Sequence, residues 1–228
     1  YRRLNEITTK DTFPLPNIED NLARLARSRV FSCVDGSGAF HVISIKKEDR
    51  AKTSFSTPWG SYQFQRMPFG LCNGPASYSR LVQLVLHGRP GEVARAYVDD
   101  TIIHAPDVHT HLGNLRKVLE AHRKAGLKLQ PEKCQLFRDK VEYLGHMVGA
   151  EGVGTVPDYV KTVQDWPIPT TKSEARTFLG KVGYYRKYVK GYSAIAGPWM
   201  AVTGKGEPEE EKAQLEVTPE MEKSFNAL

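Results

Sequence analysis

No apolar run in the 228 residues approaches the ~18 needed for a membrane-spanning helix, and the N-terminal stretch carries no signal-peptide pattern. A soluble, intracellular protein with no membrane partner is therefore expected. Cysteine is scarce. Cys33, Cys72 and Cys134 are widely spaced, odd in number and form no CxxC pair. That argues against a disulfide framework and for free thiols in a reducing compartment. No internal repeat is visible. Nor is the composition that of a disordered chain, with 40% hydrophobic and 25% charged residues. The length suits one large domain or two small ones with a real core. The formal net charge of +6 tilts toward a polyanionic partner, a tilt shared by many proteins that bind no nucleic acid.

Local patterns outline an α+β body. "FPLP" at Phe13 to Pro16 holds the chain extended, and Ile18, Leu22 and Leu25 follow at helical spacing. "VFSCVDGSGAFHVISI" from Val30 to Ile45 reads as a strand, a bend, then a strand or helix start. A strand pair is expected over Thr53 to Gln65, turned at Pro58–Gly60, and a helix over Ala76 to Leu86 ending at Gly88. Val93 to Val98 and Thr101 to His104 read as a hairpin. His109 to Ala125 reads as a helix with Leu112, Leu115, Val118 and Leu119 inward, stopped by Gly126. Short strands are expected near Leu127–Leu129, Cys134–Phe137 and Val141–Val148. Helices over Asp158–Trp166 and Lys172–Val189 follow, broken by "PIPTT". The run Glu207 to Glu211 reads as a solvated acidic linker. "VTPEMEKSFNAL" begins a helix capped at Thr218 or Pro219.

The chemistry is concentrated in "AYVDDTIIHA", Ala96 to Ala105, where Asp99 and Asp100 sit side by side at the turn. Aspartate is a common turn residue, so two solvated carboxylates are one reading. A divalent cation site is the other, because a cation makes clustered carboxylates stable. If the strand ending at Asp35 pairs with this hairpin, Asp35, Asp99 and Asp100 converge on one edge. Mg²⁺ with substrate phosphates is then the natural partner. His104, His109 and His111 are close in sequence, but no thiolate accompanies them and no zinc site is expected.

The "YVDD" of Tyr97–Asp100 resembles the catalytic hairpin of reverse transcriptases, and further blocks occur in that family's order. "YRRLNEITTKDTFPLPNIED" resembles the fingers of gypsy-type LTR retrotransposon enzymes, and "FSCVDGSGAFHVI" resembles their first aspartate motif. "KTSFSTPWGSYQFQRMPFGLCNGPASY" is similar to the block that contacts the nascent base pair and template. "GLKLQPEKCQLF" and "VEYLGHMV" are similar to the palm end and the primer-holding hairpin, and "WPIPTTKSEARTFLGKVGYYRKYV" to the thumb. Where relatives read "DLRSGY", this chain has "DGSGAF" from Asp35, which keeps the aspartate and an aromatic gate but lacks the arginine.

The resemblance implies a right-hand polymerase: an antiparallel palm sheet backed by helices, partial fingers and a helical thumb. Residues 1–30 and 46–75 would be partial fingers, 31–45 and 76–150 palm, and 151–200 thumb. Residues 201–228 would be a linker and the start of a connection segment. The opening "YRRLNEITT" reads as mid-domain sequence, so an excerpt without the first fingers strands and the RNase H domain is expected. The implied activity is RNA-directed DNA polymerisation with two Mg²⁺ ions, Mn²⁺ being able to substitute. Asp35 and Asp99 would ligate both ions, with Asp100 as the third carboxylate. Phe40 would be the steric gate against a ribose 2′-hydroxyl. Arg2, Phe69 and Gly70 would line the nucleotide and template side, and amides from Gly36 to Ala39 would meet the triphosphate. Tyr97, Val98, Leu144, Gly145 and His146 would face the template–primer. Lys172, Arg176 and Lys181 would either grip duplex phosphates or form a solvated face. Implied partners are an RNA or DNA template with annealed primer, dNTPs and a second copy of the chain. The implied location is a cytoplasmic retroelement particle or the nucleus. A different class stays open: a captured fragment that keeps the fold as a nucleic-acid or protein binding module.

Overall fold

Adjacent residues of "VFSCVD", Phe31 and Ser32, are both buried, so β1 (Val30–Asp35) is a strand with both faces covered. It lies inside a four-stranded sheet of order β4-β5-β1-β6, where β4 is Ala94–Tyr97, β5 is Asp100–Ala105 and β6 is Gln135–Arg138. β1 and β5 are antiparallel, from Val30 opposite Ala105 to Asp35 opposite Asp100. The computed structural model describes residues 1–88, 92–204 and 214–228, in two compact units, Tyr1–Val153 and Gly154–Leu228. The acidic run Glu207–Glu211 lies outside the described residues.

In the first unit, adjacent residues of β5 feed opposite cores. Ile103 joins Val34, Tyr78, Val82 and Val118 on one face, and Ile102 joins Phe31, Leu22, Val141 and Val148 on the other. The helices Gly74–Val85 and Val108–Lys124 cover the first face. The hairpin of β7 (Lys140–Tyr143) and β8 (His146–Gly149), with the helix Ile18–Ala23, covers the second. Two of these helices have a side-chain cap: Asn17 accepts from the Glu19 amide, and Asp107 from the Thr110 amide. β2 (Phe55–Thr57) and β3 (Gly60–Tyr62) form the expected hairpin, shorter than the pattern suggests. It is preceded by a 3-10 segment, Lys47–Thr53. No strand forms at Leu127–Leu129, where one bridge joins Leu129 to Gly36.

The Val108–Lys124 helix corrects the apolar pattern. Leu115 and Val118 are buried as expected, but Leu112 and Leu119 remain 50% and 38% exposed. His111, Asn114 and His122 take the inner face instead. They can do so because partners await them: Ser32 Oγ lies 2.6 Å from His111 Nε2, and Asn114 donates to the His104 carbonyl at 3.2 Å.

This buried histidine layer predicts acid sensitivity. Burial, followed by the charge of Arg95, pulls His104 down to about 4, and burial lowers His111 and His122 as well. An unfolded histidine titrates near 6.5. Below that pH the unfolded chain binds protons that the folded chain refuses, so stability falls as pH drops from about 6.5 toward 4. The His104 share is about 2 kcal/mol, discounted for the part of the ring that solvent reaches. Urea midpoints at pH 7.5 and 5 should show this loss, and His104→Gln should flatten it.

The second unit is helical: Pro157–Gln164, Lys172–Tyr184, Tyr192–Val202 and Pro219–Ala227. Thr171 and Thr218 cap their helices by accepting from Glu174 and Met221 amides. The second helix ends at Tyr184 rather than Val189, and a 3-10 turn, Arg186–Tyr188, follows. Its core joins Phe178, Ala196, Met221 and the fully buried Trp199, whose Nε1 donates to the Met221 carbonyl at 3.0 Å. The Pro219–Ala227 helix thus belongs to this core. No helix among the described residues is long and apolar enough to cross a membrane.

Candidate active site

β4 and β5 are joined by a two-residue turn, Val98–Asp99, with Tyr97 opposite Asp100. Val98 has φ 54°, a left-handed conformation that costs a β-branched residue about 1–2 kcal/mol. Packing of Val98 against the core offsets that cost and fixes the turn. Next to it, the Gly36 amide donates to the Asp99 carbonyl at 3.3 Å. The chain after Asp35 is therefore tied to the turn that carries the second aspartate.

Gly36 is a steric requirement at this point. A Cβ there would lie 2.7 Å from Tyr78 Oη and 3.8 Å from Asp99 Cβ. The phenol of Tyr78 is only 3% exposed and has nowhere simple to go. Gly36→Ala is expected to cost about 1–3 kcal/mol in stability, by overpacking, and to displace the Asp99 turn. Chemical denaturation and primer extension together check this; a variant native in both would refute the tight contact.

The electrostatics are those of crowded anions. The Asp100 carboxyl is raised above the usual carboxylate range by burial first, then by Asp99 and Asp35, with Lys133 opposing. Tyr78 is pushed up to about 12 by burial and then by Asp99 and Asp35. Lys133 Nζ stands 3.8 Å from Asp35 Oδ1. A cleft of about 320 Å³ contains Asp35, Asp100 and Lys133, with Glu142, Leu144 and Gly145 on its wall. Leu144 and Gly145 form the β7–β8 turn, both at positive φ.

These residues suit a hard divalent cation. Their donors are carboxylate oxygens, and their mutual repulsion is what a cation relieves. Among the described residues, no three His, Cys, Asp or Glu groups are close enough to hold an ion by themselves. A Mg²⁺-like ion asks for one or two carboxylates and completes its shell with waters and substrate phosphates.

Phe40 stands beside this cluster in a 3-10 turn, Ala39–Val42, and is half-buried. Its ring meets Phe69 edge-on at 5.2 Å and Tyr78 at 6.0 Å. Gly70 is held by Asn5, which donates to its carbonyl at 2.8 Å. Arg2 is exposed and pairs with Glu6 on its own helix, Arg2–Ile7, at 3.5 Å. Of the amides expected to meet a triphosphate, Gly36 donates to Asp99 and Ser37 to the Lys128 carbonyl at 2.8 Å. Those of Gly38 and Ala39 remain as candidates. His146 is buried, 3% exposed. In the second unit, Lys172 opens its helix. Arg176 donates to the Thr203 and Gly204 carbonyls, and Lys181 lies over the Tyr159 ring at 5.5 Å.

Tyr78 and Lys133 are not among the expected site residues, although both fall in quoted blocks, "KTSFSTPWGSYQFQRMPFGLCNGPASY" and "GLKLQPEKCQLF". Helical spacing from Val82 was the available signal for Tyr78.

Residues 1–148 match the model of the family described as reverse transcriptase (RNA-dependent DNA polymerase). The chain belongs to this family. Its reverse transcriptase region is 39% identical over 203 residues to the retrovirus-related Pol polyprotein from transposon opus of Drosophila melanogaster, covering 89% of this chain and 20% of that one. It is 37% identical over 198 residues to the corresponding polyprotein from transposon gypsy of the same organism, covering 87% and 19%. The chain thus spans about a fifth of the curated relatives it matches. Among solved reverse transcriptases, the foamy viral protease-reverse transcriptase in complex with dsDNA superposes with a TM-score of 0.88 at 26% identity. That match covers 100% of this chain and 47% of the other. A further form of that enzyme, "dRH in complex with ds DNA", gives a TM-score of 0.90 at 25% identity over 99% and 39%. The fold is accordingly the α+β polymerase palm of reverse transcriptases, and divalent metal ions are general to the family.

Proposed function

We propose that the chain is the polymerising part of a retroelement reverse transcriptase, adding dNTPs to a primer annealed to an RNA or DNA template. The observation that carries this is Asp35 paired in register with Asp100, with Asp99 in the adjoining turn and tied to Gly36. The primer 3′-hydroxyl would attack the α-phosphate of the dNTP, and pyrophosphate would leave. Asp35 and Asp99 would hold two Mg²⁺ ions, or Mn²⁺, with Asp100 as the third carboxylate. When bound, such ions lower the pKa of the attacking hydroxyl and neutralise charge on the leaving phosphates.

The chain's own residues do the rest. Phe40, braced by Phe69 and Tyr78, occupies the space a 2′-hydroxyl would need. Leu144 and Gly145, on the cleft wall, hold the primer end together with Tyr97 and Val98, while the buried His146 supports their turn from within. Arg2, Gly36, Phe69 and Gly70 line the nucleotide side. Lys172 and Lys181 follow the duplex, and Arg176 on the same helix is held by the Thr203 and Gly204 carbonyls. We assign residues 1–30 and 46–75 to fingers, 31–45 and 76–150 to palm, 151–200 to thumb, and 201–228 to the linker and start of the connection. The work is inside the cell, in a retroelement particle, with a second copy as a candidate partner. Foamy viral enzymes solved with dsDNA and with an RNA/DNA hybrid have this fold, which supports a template–primer duplex as the partner.

Primer extension by the purified chain tests the reading. With an RNA template, a DNA primer, dNTPs and Mg²⁺, extension that stops on chelation is expected. Absence of extension while the duplex is bound would overturn polymerisation by this chain.

A further inference from the structure

No residue of the helix Arg2–Ile7 is buried, and its 6 residues are too few to hold a helix by themselves. Its order comes from bonds to the rest of the chain, and Asn5 makes two of them. Asn5 Nδ2 donates to the Gly70 carbonyl at 2.8 Å, and Asn5 Oδ1 accepts the Cys72 amide at 2.9 Å. One side chain thus grips a loop 65 and 67 residues away in sequence. Both ends of its amide are used on backbone, so the hold fixes the orientation of the loop as well as its place. Gly70 turns there at φ 88°, with Tyr1 Cδ2 packed 3.7 Å from where a Gly70 Cβ would stand.

The loop held this way carries Phe69. That ring is 60% exposed, so burial alone does not fix it. It meets Phe40 and His41 edge-on, with centroids 5.2 Å apart in each case. The loop is anchored before Phe69 by the Met67 amide, which donates to the Ile43 carbonyl at 2.9 Å, and it ends at the buried Gly74. Between those points Asn5 supplies the bonds at Gly70 and Cys72. A second asparagine repeats the arrangement beside it. Asn73 Oδ1 accepts the Asp11 amide at 3.0 Å, and its Nδ2 donates to the Thr9 carbonyl at 2.9 Å. Asp11 in turn pairs with Arg80 at 2.8 Å. The N-terminal segment and the Phe69 loop are therefore clasped together, and the place of the Phe69 ring depends on both.

We infer that Asn5 is a positioning residue for nucleotide selection: by gripping the backbone at Gly70 and Cys72 it holds Phe69 against the Phe40 ring. The inference rests on the reading of Phe40 as the gate and of Phe69 and Gly70 as the nucleotide side. Asn5 acts through Phe69 and needs no contact with substrate. When its two bonds are removed the loop relaxes, the gate loses one of its two aromatic braces, and a ribose is refused less strictly.

The test reads the grip and its consequence separately. Hydrogen exchange, followed by mass spectrometry on the chain without substrate, reports the Cys72 amide, and Asn5→Ala should speed its exchange severalfold. Nucleotide affinity is then measured on an RNA template whose DNA primer ends in a dideoxynucleotide, so that no chemistry is required. Asn5→Ala should weaken dNTP binding about tenfold and narrow the ratio of dNTP to rNTP affinity about threefold. In primer extension the loss should appear in KM, with kcat within about twofold of native. Asn5→Asp keeps the acceptor for Cys72 and loses the donor for Gly70, so its ratio should fall between the two. Ile7→Ala, on the same helix and 83% exposed, is the control and should match the native chain. Native exchange at Cys72 in Asn5→Ala, or faster exchange with an unchanged ratio, overturns the inference. Equal losses in Asn5→Ala and Ile7→Ala trace the effect to the helix and overturn it as well. If Asn5→Ala does not fold, a native ratio in Asn5→Asp overturns it. A native chain that holds the duplex but takes no nucleotide would sink the polymerase reading and this role together. An unchanged ratio in a chain that takes dNTPs normally sinks only the role of Asn5.

Discussion

Asp99→Asn is expected to abolish primer extension, by about a thousandfold or more, while leaving the fold intact. The Asp99 side chain is exposed in the Val98–Asp99 turn, so the isosteric change removes a charge and fills no cavity. Surface changes of that kind stay within about 0.5 kcal/mol of stability. Extension is different. Stabilising the charge that develops on transferring phosphates is worth several kcal/mol, and each 1.36 kcal/mol is tenfold in rate. A second readout separates a lost ligand from a lost fold. Asp99 is, after burial, the leading cause that raises the Asp100 carboxyl, so in the variant Asp100 should titrate lower. Carboxylate titration by NMR measures that shift, and an unfolding midpoint guards against trivial inactivation. Near-native extension by Asp99→Asn would sink the catalytic assignment of the turn.

Phe40→Ala is expected to let ribonucleotides in, reducing the preference for dNTPs over rNTPs by about a hundredfold. A gate works only if its ring cannot step aside. Phe40 is braced edge-on by Phe69 and Tyr78, and the ring atoms of Phe40 lie 3.9 Å from where a Gly74 Cβ would stand. Rejection of one extra hydroxyl then rests on overlap with a stiff ring rather than on a missing hydrogen bond. Because Phe40 is only half-buried, its truncation should cost less than the ~3–5 kcal/mol of a buried phenylalanine. The ratio of kcat/KM for dNTP and rNTP measures the effect. An unchanged ratio would mean that the ring does not border the ribose.

The binding-module alternative gains nothing from the site. A carboxyl such as Asp100, raised by burial and by its neighbours Asp99 and Asp35, is a cost to a chain that only binds. The family match and the register of Asp35 with Asp100 agree with the catalytic reading instead.

Much of this was legible in the sequence where the causes are local. The β-branched and apolar runs around "YVDD" specify a hairpin whose turn carries the aspartates. Thr218 marks a helix start because it can accept from the amide three residues ahead, and Asp107 and Thr171 cap their helices in the same way. Gly126 marks a stop because it takes φ 69° at no steric cost. The order of the quoted blocks marks the family in the sequence alone. Three helical features went unread. The helix Arg2–Ile7 was missed, its end residue Ile7 83% exposed, and so was Tyr192–Val202, which carries a proline. The third was the early end of the Lys172 helix.

Tertiary structure alone decided which chemistry faces inward and which side chains share the site. Periodicity assigned Leu112 and Leu119 to the core, but Ser32, 79 residues from His111 in sequence, supplied a hydrogen bond that let polar groups take the inner face. The same Ser32 Oγ accepts the Phe137 amide, 105 residues away, joining β1 to β6. Tyr78 under Gly36, Lys133 beside Asp35, and Arg176 on the Thr203 and Gly204 carbonyls are pairings of the same kind. Local sequence sets propensities, caps and turns through neighbours a few residues away. Burial of a polar group is decided by a partner that only the folded chain brings within hydrogen-bonding distance.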